Sequence, residues 1–157
     1  MSKTSKKENH PWVAAAAICQ GLLEEKDNVL SIIRMVDVFN LPKPPGWDGK
    51  TNLQLPLIGI VALRSGDAKG TRAVRIYGVS PKGKRQKLLD MKAEFLGGNT
   101  GVNIKLNMMF GFKSEGTHWL DIYVDKWLAT RIPVSIVFQS EMPPNGESGA
   151  KADKPEQ

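Results

Sequence analysis

The 157 residues fit one domain and leave little room for a second, and a composition of 41% hydrophobic and 24% charged residues excludes both a wholly disordered and a membrane-embedded chain. Lys and Arg outnumber Asp and Glu by 22 to 16, a formal net charge of +6, so attraction to an anionic partner is one function class to weigh. The longest apolar run, 13–19, is far shorter than the roughly 20 residues a membrane-spanning helix needs, and a lone Cys19 excludes an internal disulfide.

Residues 1–10 read as a flexible basic N-terminal tail, 11–141 as the folded domain and 142–157 as a disordered C-terminal tail, because both ends are polar and have almost nothing to bury. The MSKTSKKEN opening lacks the apolar run and cleavage site of a secretory signal. With Cys19 unpaired, the expected setting is a reducing cytoplasm. Segment 13–25 (VAAAAICQGLLEE) carries good helix formers, and Asn28 offers a helix cap. Lys26-Asp27-Asn28 also reads as a hairpin turn before the β-branched run 29–41, and a strand pair is the favoured reading of the two. A loop follows at 42–49, then turn signals at 65–70, 80–83, 97–101 and 114–116. Between them apolar residues alternate with polar ones: Val74 and Ile76, then Leu89, Met91, Ala93 and Phe95, then Val102, Ile104, Leu106, Met108 and Phe110. Leu120, Ile122 and Val124 form one arm of a hairpin turning at Asp125-Lys126, with Ile132, Val134, Ile136 and Phe138 on the other. Pro133 in that second arm requires a bulge or an open edge. Short alternating runs between regular turns predict an all-β fold, a two-layer antiparallel β-sandwich of seven or eight strands.

Three stretches, 18–39 (ICQGLLEEKDNVLSIIRMVDVF), 62–76 (ALRSGDAKGTRAVRI) and 101–138 with its GTHWLDIYVD hairpin, resemble a family of bacterial proteins of about this length catalogued as a domain of unknown function. The resemblance implies an immunoglobulin-like all-β sandwich. It implies no activity, and it carries over no functional residue.

The residues themselves offer little catalytic chemistry. His118 is the one histidine placed to act as a base and Cys19 the one thiol, with no spacing that joins them. Cys19 reads as a small buried hydrophobe and His118 as a surface residue beside a turn. His118 and Asp121 fall on opposite faces of a strand, which splits a metal set with Asp125; Asp121 belongs to the solvent face and Asp125 to the turn. The 66–70 segment (GDAKG) lacks the ending of a phosphate-binding loop. No enzyme activity, metal, cofactor or small-molecule substrate is expected. Between 64 and 92, nine Lys and Arg face two Asp, a net +7. Arg64, Arg72, Arg75, Lys82, Lys84, Arg85 and Lys87 are therefore the candidate contacts for an anionic partner, through one basic strand face. Nucleic acid is disfavoured, since Tyr77 is the stretch's lone stacking ring. Trp119, Tyr123 and Trp127 flank the last hairpin turn and form the candidate protein interface, by which a protein partner or a second copy would bind. The expected role is a non-catalytic interaction or assembly module, with peripheral binding to an anionic surface as the alternative and a pocket between the sheets as the weakest reading.

Overall fold

The computed structural model of the chain describes residues 9–27 and 29–139. Most of the tail expected at 1–10, all of that at 142–157 and the proposed cap residue Asn28 lie outside the described residues. Seven strands and no helix occur among them: β1 (Trp12–Glu24), β2 (Leu30–Met35), β3 (Val38–Pro42), β4 (Leu53–Val79), β5 (Arg85–Phe112), β6 (Gly116–Val124) and β7 (Trp127–Gln139). Among the described residues no helix is long and apolar enough to cross a membrane.

The ambiguous first segment is a strand pair. β1 runs antiparallel to β2 from Cys19↔Met35 to Glu24↔Leu30, and to β4 from Trp12↔Arg64 to Cys19↔Ile58. Helix propensity loses because burial of Ala17, Ile18 and Cys19, each under 7% exposed, depends on the extended backbone between two neighbours. Beyond Cys19 the β4 ladder stops, and the rest of β1 pairs with β2 alone as a two-stranded ribbon, whose Glu24 reaches Lys105 of β5 at 2.6 Å.

Two expected turns are not turns. The glycine clusters at 65–70 and 97–101 lie inside β4 and β5, which pair with each other from Leu53↔Phe112 through to Val79↔Arg85. The register shifts between Arg64, Gly66 and Lys69, and Gly66, Gly70, Gly97 and Gly98 hold φ between +53° and +88°. Left-handed residues facing each other across a ladder bend both strands without breaking them. Inside this corner Ser65 Oγ lies 3.0 Å from Thr100 Oγ1, which donates to the Gly97 carbonyl at 2.7 Å, and Ser65 and Ala68 are fully buried. Before the corner β4 has β1 beside it; after the corner it has β6. The resulting order is β2-β1-β4-β6-β7-β3, with β5 along the other side of β4.

Both limbs of the bent strands turn their apolar faces to one core. Leu57, Val61, Leu63 and Leu106 come from the first limb, and Val74, Ile76, Phe95, Leu120, Ile122, Val124 and Ile136 from the second limb and its neighbours. The alternation read at 74–76, 89–95, 102–110 and 120–124 matches these buried positions. Asp125 makes the β6–β7 turn at φ +53°, a conformation Asp tolerates, so the absent glycine is not needed. One ladder departs from the antiparallel expectation: β3 runs parallel to β7, from Val38↔Ser135 to Pro42↔Gln139. Pro133 precedes that ladder, at a stretch of β7 paired with β6 alone.

The corner fixes a prediction. A Cβ at Gly101, opposite Arg64, would overlap the Leu63 carbonyl oxygen, a backbone atom that cannot swing away. Gly101→Ala is expected to cost roughly 1–3 kcal/mol by overpacking, read as a lowered urea midpoint; an unchanged midpoint would show that the corner is not tight.

Candidate functional site

Strands β4, β6 and β7 present an outward face behind the core. Because Leu120, Ile122 and Val124 point inward, Trp119, Asp121 and Tyr123 point outward, and the β4–β6 register sets Tyr77 and Arg75 beside them. The Tyr77 and Tyr123 rings meet edge to face at 5.8 Å, and the Arg85 guanidinium lies 4.4 Å from the first centroid and 5.3 Å from the second. Arg131 on β7 covers the Trp119 ring at 4.9 Å and donates through Nε to Asp121 Oδ1 at 2.7 Å. Asp121 was expected in solvent and is 6% exposed instead, because Arg131 closes over it. The three rings of the expected interface do not share a face. Trp127 pairs with inward-facing Val124, packs against the core and stacks on His10 at 4.7 Å. Trp119 and Tyr123 do share one, half-buried and each capped by a guanidinium. Tyr77 and Arg131 join them through cross-strand registers that no single strand's alternation reveals.

The basic stretch does not form one free face. Arg64 lies on the first limb, where its guanidinium reaches the Leu63 carbonyl and Asn103 Oδ1. Arg72 pairs with Asp125 at 3.0 Å, and Arg75 and Lys87 share Asp90 at 3.3 and 3.1 Å. The Lys87 ammonium, then Arg75, holds the Asp90 carboxyl below its ordinary value. For Asp125 burial works the other way, but the Ala73 N–H and then Arg72 outweigh it and leave the carboxyl lowered. Of the seven candidate cations, only Lys82 and Lys84 have neither a side-chain hydrogen bond, a carboxylate nor a ring among the described residues. Both lie at the β4–β5 turn, closed by Ser80 N–H to the Lys84 carbonyl and Lys84 N–H to Ser80 Oγ.

That turn borders a cavity of about 370 Å³, which also includes Lys113 and Ser114 from the β5–β6 loop and Gly49 and Asn52 from the loop before β4. Phe110, Phe112 and His118 supply its apolar wall. His118 was expected at the surface but is 2% exposed, edge-on to both phenylalanines at 5.5 and 6.2 Å, because it shares the inward side of β6 with Leu120. Its Nε2 donates to the Ser114 carbonyl at 3.0 Å. Cys19 is buried on β1, which shares no ladder with β6, so the thiol and the imidazole are not brought together. Among the described residues no three His, Cys, Asp or Glu side chains gather as a metal set.

The β1–β2 ribbon is the second exposed feature. Five of the eleven exposed large hydrophobics among the described residues, Leu23, Val29, Ile32, Ile33 and Met35, fall within it, and no residue of β2 is buried. The Gly21↔Ile33 and Leu22↔Ile32 pairs put apolar side chains on both faces. Sequence reading gave this segment to a strand pair without its exposure, since a continuous apolar run carries no sign of which strand will lie beside it.

Fold and surfaces together define an all-β chain with an exposed apolar ribbon and a lysine-bordered cavity. Comparison with known proteins found no matching family model, no matching curated protein and no matching solved structure.

Asp125 ties the β6–β7 turn to β4, and its lowered carboxyl sets a pH dependence. With the folded value below the usual 3.8, the stabilisation is complete above that pH and is lost as pH falls through the folded value. Asp125→Asn is expected to be less stable than the parent at neutral pH by up to about 1 kcal/mol, a small effect for a partly exposed carboxylate. Urea unfolding should show the gap closing well below pH 3.8; a gap that persists in acid would assign the effect to the turn geometry.

Proposed function

We propose that the chain is a non-catalytic assembly module that binds a second copy of itself through the β1–β2 ribbon. The observation that carries this reading is the concentration of exposed Leu23, Val29, Ile32, Ile33 and Met35 on one two-stranded element. A ribbon alone gains little from the core, and exposed apolar side chains on both its faces mark a docking element. Charge supports a second copy as the occupant. Arg34 near the ribbon's base has no carboxylate or hydrogen-bonding partner among the described residues, while Glu25 and Asp27 stand at the tip. Antiparallel apposition of two ribbons, about a two-fold axis perpendicular to them, sets each Arg34 beside the other copy's Glu25 and Asp27. At φ +46°, Arg34 also interrupts the strand's outer edge, which favours face packing over ladder extension.

The same reading takes the folded-over sheet as a two-layer, immunoglobulin-like sandwich, supported by the single core its limbs share. The resemblance to the bacterial family and a cytoplasmic setting, supported by the buried unpaired Cys19, belong to it as well. A second reading, recognition of an anionic partner, rests on Lys82 and Lys84, the two candidate cations left without partners among the described residues.

Light scattering at increasing concentration tests the dimer. The parent should reach twice the 17.3 kDa chain mass, and Ile32→Ser/Ile33→Ser/Met35→Ser should remain at 17.3 kDa with an unchanged unfolding midpoint. Arg34→Glu should weaken the dimer, and Glu25→Arg added to it should restore association. A parent that stays monomeric at its solubility limit overturns the proposal.

A further inference from the structure

The cavity at the β4–β5 turn has features the dimer reading does not use. Its lining has three cations, Lys82, Lys84 and Lys113, and no carboxylate. None of the three ammonium groups has an acid partner among the described residues, although six other cations of the fold do. Three like charges around one concavity repel, and the repulsion is relieved when an anion enters. Behind them Phe110 and Phe112 form an apolar wall, while Asn52, Ser80 and Gln86 offer neutral hydrogen-bonding groups.

His118 borders the same cavity, and its Nε2 donates to the Ser114 carbonyl, which fixes the ring against the β5–β6 loop.

We propose that this cavity binds a small organic anion, with an acidic head group held by Lys82, Lys84 and Lys113 and an apolar body against Phe110 and Phe112. A volume of about 370 Å³ suits a single ring or short chain with its head group. Lysine ammoniums are mobile point charges that accept a phosphate or a carboxylate alike, so the shared chemistry is an anion on an apolar body.

Calorimetric titration of the full chain with phenyl phosphate, benzoate, inorganic phosphate and benzyl alcohol tests the site. Phenyl phosphate or benzoate should bind more tightly than inorganic phosphate and benzyl alcohol, and whichever of the two is tighter names the head group. Lys82→Gln/Lys84→Gln/Lys113→Gln should weaken that binding by about fivefold or more, the loss of charge-assisted contacts, while Lys105→Gln leaves it unchanged. Added salt should weaken binding to the parent. Failure of both aryl anions to bind, equal binding of benzyl alcohol, or affinity indifferent to the three lysines overturns the proposal. Each outcome is independent of the ribbon, since dimerisation is read separately by light scattering.

Discussion

Everything in this fold depends on one bend made twice. β4 and β5 are paired over almost their whole length, and a ladder that long would be a flat two-stranded ribbon unable to bury either face. Left-handed glycines at matching heights in both strands fold the ladder over, so that the apolar faces of its limbs meet in a common core. Each limb then recruits its own neighbours, β1 and β2 on one side and β6, β7 and β3 on the other. The corner also sets where the surfaces lie. Folding the strands returns the β4–β5 turn to the level of 49–52 and 110–114, and the cavity forms where those segments meet.

Much of the strand content was legible from residue alternation. Side chains from Ile104 to Phe110 and from Leu120 to Val124 face one environment on each side, and a period of two records that directly. The glycine clusters at 65–70 and 97–101 were misread because composition reports a residue able to turn, and a turn and a bend use the same left-handed conformation. What separates them is whether the flanking segments pair with each other or with a third strand. That information is non-local. The parallel β3 escaped for a related reason: five residues carry no mark of direction, and their register is set by a strand at the far end of the chain.

The surfaces were legible by residue type more than by arrangement. Trp119 and Tyr123 do share an outward face, but the arginines that cover them come from other strands, and Trp127 changes sides because a two-residue turn sets it across from an inward residue. The basic stretch looked uniform as a string of charges. In three dimensions Asp90 and Asp125 draw off three of its cations, and rings or backbone carbonyls take others. Of the candidate contacts, the two left over, Lys82 and Lys84, meet Lys113 from a different loop, next to a histidine whose burial follows from its parity with Leu120. Neither neighbour is deducible without the β4–β6 register.

The parallel strand β3 has a kinetic meaning. Its partners in β7 stand at the opposite end of the domain, with β4, β5 and β6 threaded between, so its ladder can close only after those strands are in place. Phe39 and Leu41 then cover core side chains that were open until that moment. A short strand attached along one edge by a single ladder opens more readily than the strands of the core. Each release bares the β7 edge from Ser135 to Gln139 as an acceptor for any strand of matching pattern. The last stitch of the fold is thus also the seam at which two chains can trade strands.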